Sequence, residues 1–252
     1  MSKKYSFAQM HCIRSVGKAM HETKMIWPNA RIGVALSGGY DSFVLLKVLQ
    51  IRQKILPFPI EIMAIHLNPG FSKDNHKVLL PWLLSHGIAA HIELRSDGLE
   101  AHSEENLKRS PCFRCAWLRR RRLFELAAKY HLTHLAFGHN ADDLVSTFFL
   151  NLCRNGRVDG MEMNESFFKG TLKLIRPLLL VEKKYIISAA KQWQLPIIKN
   201  PCPSAGHTAR AELEQVLSSF YKLSHESKHC IFNALTRWQL NNSSRLDDGE
   251  NP

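Results

Sequence analysis

The chain has 252 residues, 45% hydrophobic and 22% charged, the size and composition of one soluble α/β domain with a modest appendage. No run of about 18 apolar residues occurs, so no membrane-spanning helix is expected. The start, MSKKYSFAQMHCIRSVGK, lacks the apolar centre of a signal peptide, and a cytoplasmic location is the expectation. A net charge of +12 points to a polyanionic partner, RNA or DNA first, or else to a basic surface that only aids solubility.

In chain order, residues 4–26 show helical spacing through Phe7, Met10, Ile13, Val16 and Met20, and WPNA ends that helix. Residues 32–36 (IGVAL) read as a buried strand and 42–53 as a helix with Phe43, Leu46 and Leu49 on one face. A strand at 61–66, a break at LNPGF, a helix at 75–86 and a strand at 89–94 follow. Residues 95–111 are polar and irregular and read as a mobile loop. A basic helix is expected from 113 to about 130, a strand at 134–138, a helix at 142–154 with Leu144, Phe148 and Leu152 inward, and a strand at 171–176. Beyond 181 the pattern is helical with a break at NPCPSAG (200–206), and the polar tail after about 241 is expected to be disordered. There is no internal repeat.

Strands alternating with helices imply a five-stranded parallel sheet with helices on both faces. The expected organisation is an N-terminal helix (1–28), a central α/β domain (29–180), a C-terminal helical segment (181–240) and a tail (241–252). Ligands in such sheets bind beyond the carboxyl ends of the strands. The loops after strands one, two and four are therefore where chemistry belongs.

The first of these loops is SGGYDS (37–42). Gly38 and Gly39 let backbone N–H groups approach a bulky anion. The helix that follows adds its positive end. Ser37 and Ser42 can donate hydroxyls. Asp41 repels phosphate unless a cation intervenes, which makes it a candidate Mg²⁺ ligand; the plain alternative is a serine–glycine turn with Asp41 as helix cap. The second loop is GHNADD (138–143). Gly138 permits close backbone approach, and His139 could bind a phosphate or a base edge. Of the acids Asp142 and Asp143, Asp142 is taken as the second Mg²⁺ carboxylate; acids there also serve as ordinary helix-start residues.

Six cysteines are present, and in a reducing compartment disulfides are not expected. Cys112 and Cys115 form a C-x-x-C pair, and Cys202 lies 87 residues on, so the three could share one metal centre. Three thiolates leave a coordination position open, as a catalytic zinc or an iron–sulfur cluster with one free iron would. Cys153, on an apolar helix pattern, reads as a buried thiol rather than a fourth ligand. Cys12 and Cys230 read as structural. Arg119, Arg120, Arg121 and Arg122 follow the cysteine pair, and some can hold RNA phosphates bidentately. Lys3, Lys4, Arg14 and Lys18 could extend that basic track. Trp117 reads as core. Arg176, before Pro177, is a candidate for active-site contact or for a local pairing.

The S-G-G-x-D-S loop resembles that of the N-type ATP pyrophosphatases, the PP-loop enzymes, and GHNADD resembles their second motif. With SGGYDSFVLL, LNPGF, PCFRCAWLRR, GHNADDLVSTFFLN, IRPL (175–178) and LPIIKNPC (195–202), residues 5 to 240 are similar to the tRNA 2-thiocytidine synthetases. The resemblance implies ATP and Mg²⁺ at Ala35, Leu36, Ser37, Gly38, Gly39, Asp41, Ser42, His66, Gly138 and His139, with Asp142 catalytic. It implies a [4Fe–4S] cluster on Cys112, Cys115 and Cys202. It further implies a basic catalytic residue at Arg119, tRNA as substrate at cytidine 32, a cysteine desulfurase or sulfide as sulfur source, and a homodimer. One departure is Tyr40, where that family usually has lysine; a tyrosine cannot neutralise phosphate. Two rival readings are a ligase of the lysidine-synthetase kind, which needs no cysteine trio, and a non-catalytic RNA-binding relative.

Overall fold

A computed structural model describes residues 5–104, 106, 110–198, 201–206, 208–224 and 226–247. Lys3 and Lys4 lie outside them. Six strands form one sheet: β1 (Ala30–Ala35), β2 (Ile60–Asn68), β3 (Ala89–Leu94), β4 (His134–Ala136), β5 (Asn164–Phe167) and β6 (Leu172–Ile175). The order is β3-β2-β1-β4-β6-β5, parallel throughout except for β5, which runs antiparallel to β6. The α/β sheet is thus the expected one with a sixth strand at its edge. The sequence NESF of β5 is polar and half-exposed, without the apolar run that marks the central strands. Its hairpin turn to β6 puts Phe168, Lys169 and Gly170 all at positive φ.

Nine α-helices surround the sheet among the described residues: α1 (Phe7–Glu22), α2 (Tyr40–Gln53), α3 (Leu79–Ser85), α4 (Asp97–Ala101), α5 (Pro111–Lys129), α6 (Ala141–Asn155), α7 (Lys183–Gln192), α8 (Ala209–Leu223) and α9 (Ser227–Asp247). A 3₁₀ turn (Asn75–Val78) precedes α3, and α4 lies in the segment 95–111 that composition alone marks as irregular. Helix α9 continues to Asp247, into the segment 241–252 expected to be disordered.

One sheet face is covered by α1, α2 and α7, around Val16, Ile32, Val34, Phe43, Leu46 and Ile186. The other is covered by α5, whose Leu123 and Leu126 meet Ile65, Leu67 and Leu135. Burial of each such side chain contributes ~1.5–3 kcal/mol. Arg14 and Lys18 of α1 therefore lie across the sheet from the α5 arginines rather than continuing their track, and Lys18 pairs with Glu22. Strand β1 pairs with β2 on one side and β4 on the other. Their connections diverge there, and the crevice at the carboxyl ends of β1 and β4 is the topological switch point of the sheet.

Candidate functional site

The loop after β1 is a knot of serine and glycine contacts. The Ser37 amide donates to Ser42 Oγ (3.2 Å), Ser42 Oγ donates to the Gly39 carbonyl (3.0 Å), and the two hydroxyl oxygens are 3.1 Å apart. Gly38 has φ +90°, open to glycine and costly for other residues. A Cβ there would stand 2.1 Å from Cγ1 of Ile198, whose amide donates to the Gly38 carbonyl (3.0 Å). Ile198, four residues before Cys202, is thereby docked on this loop. Gly39 caps α2 without a side chain, leaving the helix start free of any side-chain cap.

The loop after β4 touches the first from behind. A Cβ on Gly138 would lie 2.9 Å from both the Asp41 carbonyl carbon and the Ser42 nitrogen. Asn140 links the two loops. Its Oδ1 accepts from the amides of Asp142 (2.9 Å) and Asp143 (3.2 Å), and its Nδ2 donates to Asp41 Oδ1 (2.9 Å). Asp143 Oδ2 accepts from the Asn140 amide (3.1 Å), which completes a capping box on α6.

A cavity of about 390 Å³ opens over both loops. Ala35, Leu36, Ser37, Gly39, Asp41, Ser42, Gly138, His139 and Arg119 line it, together with Asp143. Three residues expected here are placed differently. Gly38 is not on the cavity wall itself but packs against Ile198, which is. His66 is buried, with Nδ1 2.7 Å from the Leu36 carbonyl; the carbonyl only accepts, so Nδ1 carries the proton and His66 braces the loop from below. Asp142 accepts from the Lys183 amide (2.8 Å) and pairs with Lys228 of α9 (2.8 Å), away from the cavity wall. The carboxylate facing the cavity is that of its neighbour, because consecutive helical residues point about 100° apart.

Charge in the cavity is mixed. Burial pushes the Asp41 carboxyl above its ordinary range; Lys183 and the Asn140 amide pull it down, and Asp143 pushes it up again. Burial, with Arg176, Arg210, Arg119 and Arg120 around it, lowers His139 to about 3, so the ring is neutral. Tyr40 packs half-buried against the apolar core and is not on the cavity wall.

The C-x-x-C pair occupies the first turn of α5, one face at i, i+3 spacing. Cys115 is half-buried and its thiol is raised by burial; Arg119 opposes this, while Asp97, Cys202 and Cys112 add to it. Cys202 is thus electrostatically close to the pair. Its turn is held by Ser204, 2.8 Å from Nε2 of His102 on the loop after α4. All six thiols are free, and among the described residues no three His, Cys, Asp or Glu side chains converge in a metal-binding arrangement. Cys153 is exposed rather than buried, because α6 turns that position outward, and Cys230 is also exposed. Cys12 is fully buried, its thiol pushed up to about 12. Of the four arginines, Arg121 and Arg122 pair with Glu125 and Glu93, leaving Arg119 at the cavity and Arg120 acting on His139. Trp117 is 42% exposed, not core, with the Arg114 and Arg121 guanidinium groups over its ring.

The PP-loop domain family model matches residues 9–217. The tRNA-cytidine(32) 2-sulfurtransferase 1 of Francisella tularensis subsp. novicida is 32% identical, aligned over 93% of this chain and 88% of its own length. The chain belongs to the PP-loop family that includes the tRNA-cytidine(32) 2-sulfurtransferases. A second member, from Bordetella pertussis, is 33% identical over 89% of this chain and 70% of its own length. The U34-tRNA thiolase NcsA of Methanococcus maripaludis, solved with its [4Fe–4S] cluster, shares the fold at TM-score 0.73 and 24% identity, covering 92% of this chain and 78% of that one.

Within this PP-loop family the motif residues Ser37, Gly39, Asp41, Ser42, Gly138 and His139 meet around one cavity. Two further residues complete it: Asn140, which sequence reasoning did not single out, and Asp143, the acid it weighed second to Asp142. Asn140 is fully buried and joins the two motifs, and Asp143 brings the second carboxylate to the wall. The signal for both lies in the capping box spacing of Asn140 and Asp143, visible in NADD.

Proposed function

We propose that this chain is an ATP-dependent tRNA-cytidine 2-sulfurtransferase acting at position 32. The observation that carries the reading is one cavity bounded by both PP-loop motifs, with Arg119 on its wall one helical turn from Cys115. The loop amides and hydroxyls of Ser37, Gly39 and Ser42 hold the ATP phosphates. Asp41 and Asp143 hold Mg²⁺: Asp143 adds to the burial that disfavours the Asp41 carboxylate, and a cation between them relieves that cost. The C2 oxygen of cytidine attacks the α-phosphorus, and pyrophosphate leaves. The developing charge falls on the loop amides and the cation. Sulfur then bonds to C2, the C2–O bond breaks, and AMP departs with the oxygen.

Cys112, Cys115 and Cys202 are the residues that hold an iron–sulfur cluster in this reading. All three thiols are free, and Cys115 feels Cys112, Cys202 and the opposing cation Arg119, a donor set of the right chemistry. Such a cluster, when bound, would supply the sulfur that replaces the oxygen. The exposed Trp117 and Arg120 on α5 offer stacking and phosphate contact to a nucleotide taken out of its stack. The sulfur comes from a cysteine desulfurase or sulfide, in the cytoplasm; no described helix is long and apolar enough to cross a membrane. The test is nucleoside mass spectrometry of total tRNA from cells lacking the chain. Restoration of 2-thiocytidine by wild type and not by Cys202→Ala supports the reading. Unchanged thionucleosides in the deletion refute it.

A further inference from the structure

Arg176 follows β6 and is 6% exposed. Its backbone is fixed, with its amide donating to the Met163 carbonyl (2.9 Å) beside the β5–β6 ladder. Its side chain spans two groups. Nε donates to Nδ1 of His139 (3.3 Å), and Nη1 meets the Glu165 carboxylate (2.5 Å) and the Glu162 carbonyl. A guanidinium cannot accept a hydrogen bond, so His139 Nδ1 must present a lone pair to it. The single ring proton is then on Nε2.

We propose that Arg176 is a positioning residue that fixes His139 as a neutral ring with its proton on Nε2, so that His139 meets an oxygen of bound nucleotide as a hydrogen-bond donor. The nucleotide part rests on the function proposed above; the tautomer does not. The ring is clamped on its other coordinates as well. Phe137 stacks on it with centroids 5.8 Å apart and planes 9° from parallel. The guanidinium groups of Arg176, Arg210, Arg119 and Arg120 all act on it as cations. Burial acts most strongly against a second proton and these arginines act with it, outweighing the Asp41 and Asp143 carboxylates on the same cavity wall; a base role is closed because Nδ1 is occupied. Arg176 in turn is a buried cation that needs an anion. Glu165 supplies it from β5, the strand that runs against the direction of all the others. The edge strand thus reaches the cavity through a chain of three side chains, Glu165 to Arg176 to His139.

The test is long-range ¹H–¹⁵N spectroscopy of the full chain labelled at histidine nitrogen, from pH 5.5 to 8. For wild type the expected result is the Nε2–H pattern for His139, assigned with His139→Gln, without titration in that range. In Arg176→Met the expected result is a mixture of tautomers and a proton affinity raised about tenfold. Addition of a non-hydrolysable ATP analogue with Mg²⁺ should move the wild-type Nε2–H resonance. An Nδ1–H or doubly protonated His139 in wild type at pH 7 overturns the proposal, whether or not the variant folds. So does an Arg176→Met spectrum that matches wild type. If the analogue shifts other resonances but not Nε2–H, the donor role fails. If the analogue shifts nothing, the nucleotide reading of the cavity fails and the donor role with it, while the tautomer result is judged separately.

Discussion

Asn140→Ala removes the residue through which the two loops of the cavity hold each other. The side chain is 1% exposed, caps α6 through the Asp142 and Asp143 amides, and donates to Asp41. Losing an asparagine N-cap costs ~1 kcal/mol. Losing the hydrogen bond to a charged carboxylate costs ~1.5–3 kcal/mol. The sum is about 2.5–4 kcal/mol, and for a chain of this size each kcal/mol lowers Tm by ~2–4 °C. A fall in Tm on the order of 5–15 °C is expected by calorimetry. A second, independent effect follows from charge. The Asn140 amide is one of the groups that lower the Asp41 proton affinity, so its loss raises a carboxyl already pushed up by burial. A carboxyl with a raised folded pKa stabilises the fold when protonated, and that stability is lost as pH rises through the folded value. The variant should therefore be most deficient at neutral pH and partly recover in acid. Affinity for Mg²⁺–ATP, which needs the carboxylate, should fall more at pH 6 than at pH 8 when measured by titration calorimetry. A Tm within about 1 °C of wild type with an unchanged pH profile of binding would refute the reasoning, since it would mean that neither the cap nor the Asp41 contact contributes.

Cys202→Ser should lower the iron bound after anaerobic reconstitution while leaving the fold intact by circular dichroism. Cys153→Ser and Cys230→Ser, at exposed thiols outside the assigned trio, should bind iron as wild type does, and equal loss in all three would count against that trio. Tyr40→Lys should not improve ATP affinity, because the side chain packs on the core and not on the cavity wall; a tenfold gain would show that position 40 reaches the phosphates. Burial holds His134 down to about 4, from the ordinary 6.5. Between those values the unfolded chain takes up a proton that the folded chain refuses, so stability falls as pH drops through the window. His134→Phe should make urea denaturation less pH-dependent between pH 7 and 4.5; an unchanged slope would assign the acid sensitivity to the other buried histidines.

The local motifs were legible because their chemistry is local. SGGYDS and GHNADD each follow an apolar strand and open a helix, and chain neighbours alone make that pattern. The C-x-x-C pair is likewise a matter of four residues on one turn. What needed the tertiary structure was direction and partnership. Asp142 and Asp143 are equivalent in the sequence; helical rotation sends one to Lys228 and the other to the cavity. Cys153 and Leu152 lie on an apolar pattern but face outward, since α6 packs on α8 and α9 along another stripe. Tyr40 occupies a motif position yet belongs to the core. Strand β5 is too short and polar to announce itself, and it exists through its pairing with β6. Its Glu165 meets Arg176 only because the chain reverses at residues 168–171. Sequence periodicity and motif spacing decide which residues can do chemistry, since those depend on near neighbours. Which of them face one another across distant segments is decided by packing, because each such contact depends on the whole sheet order.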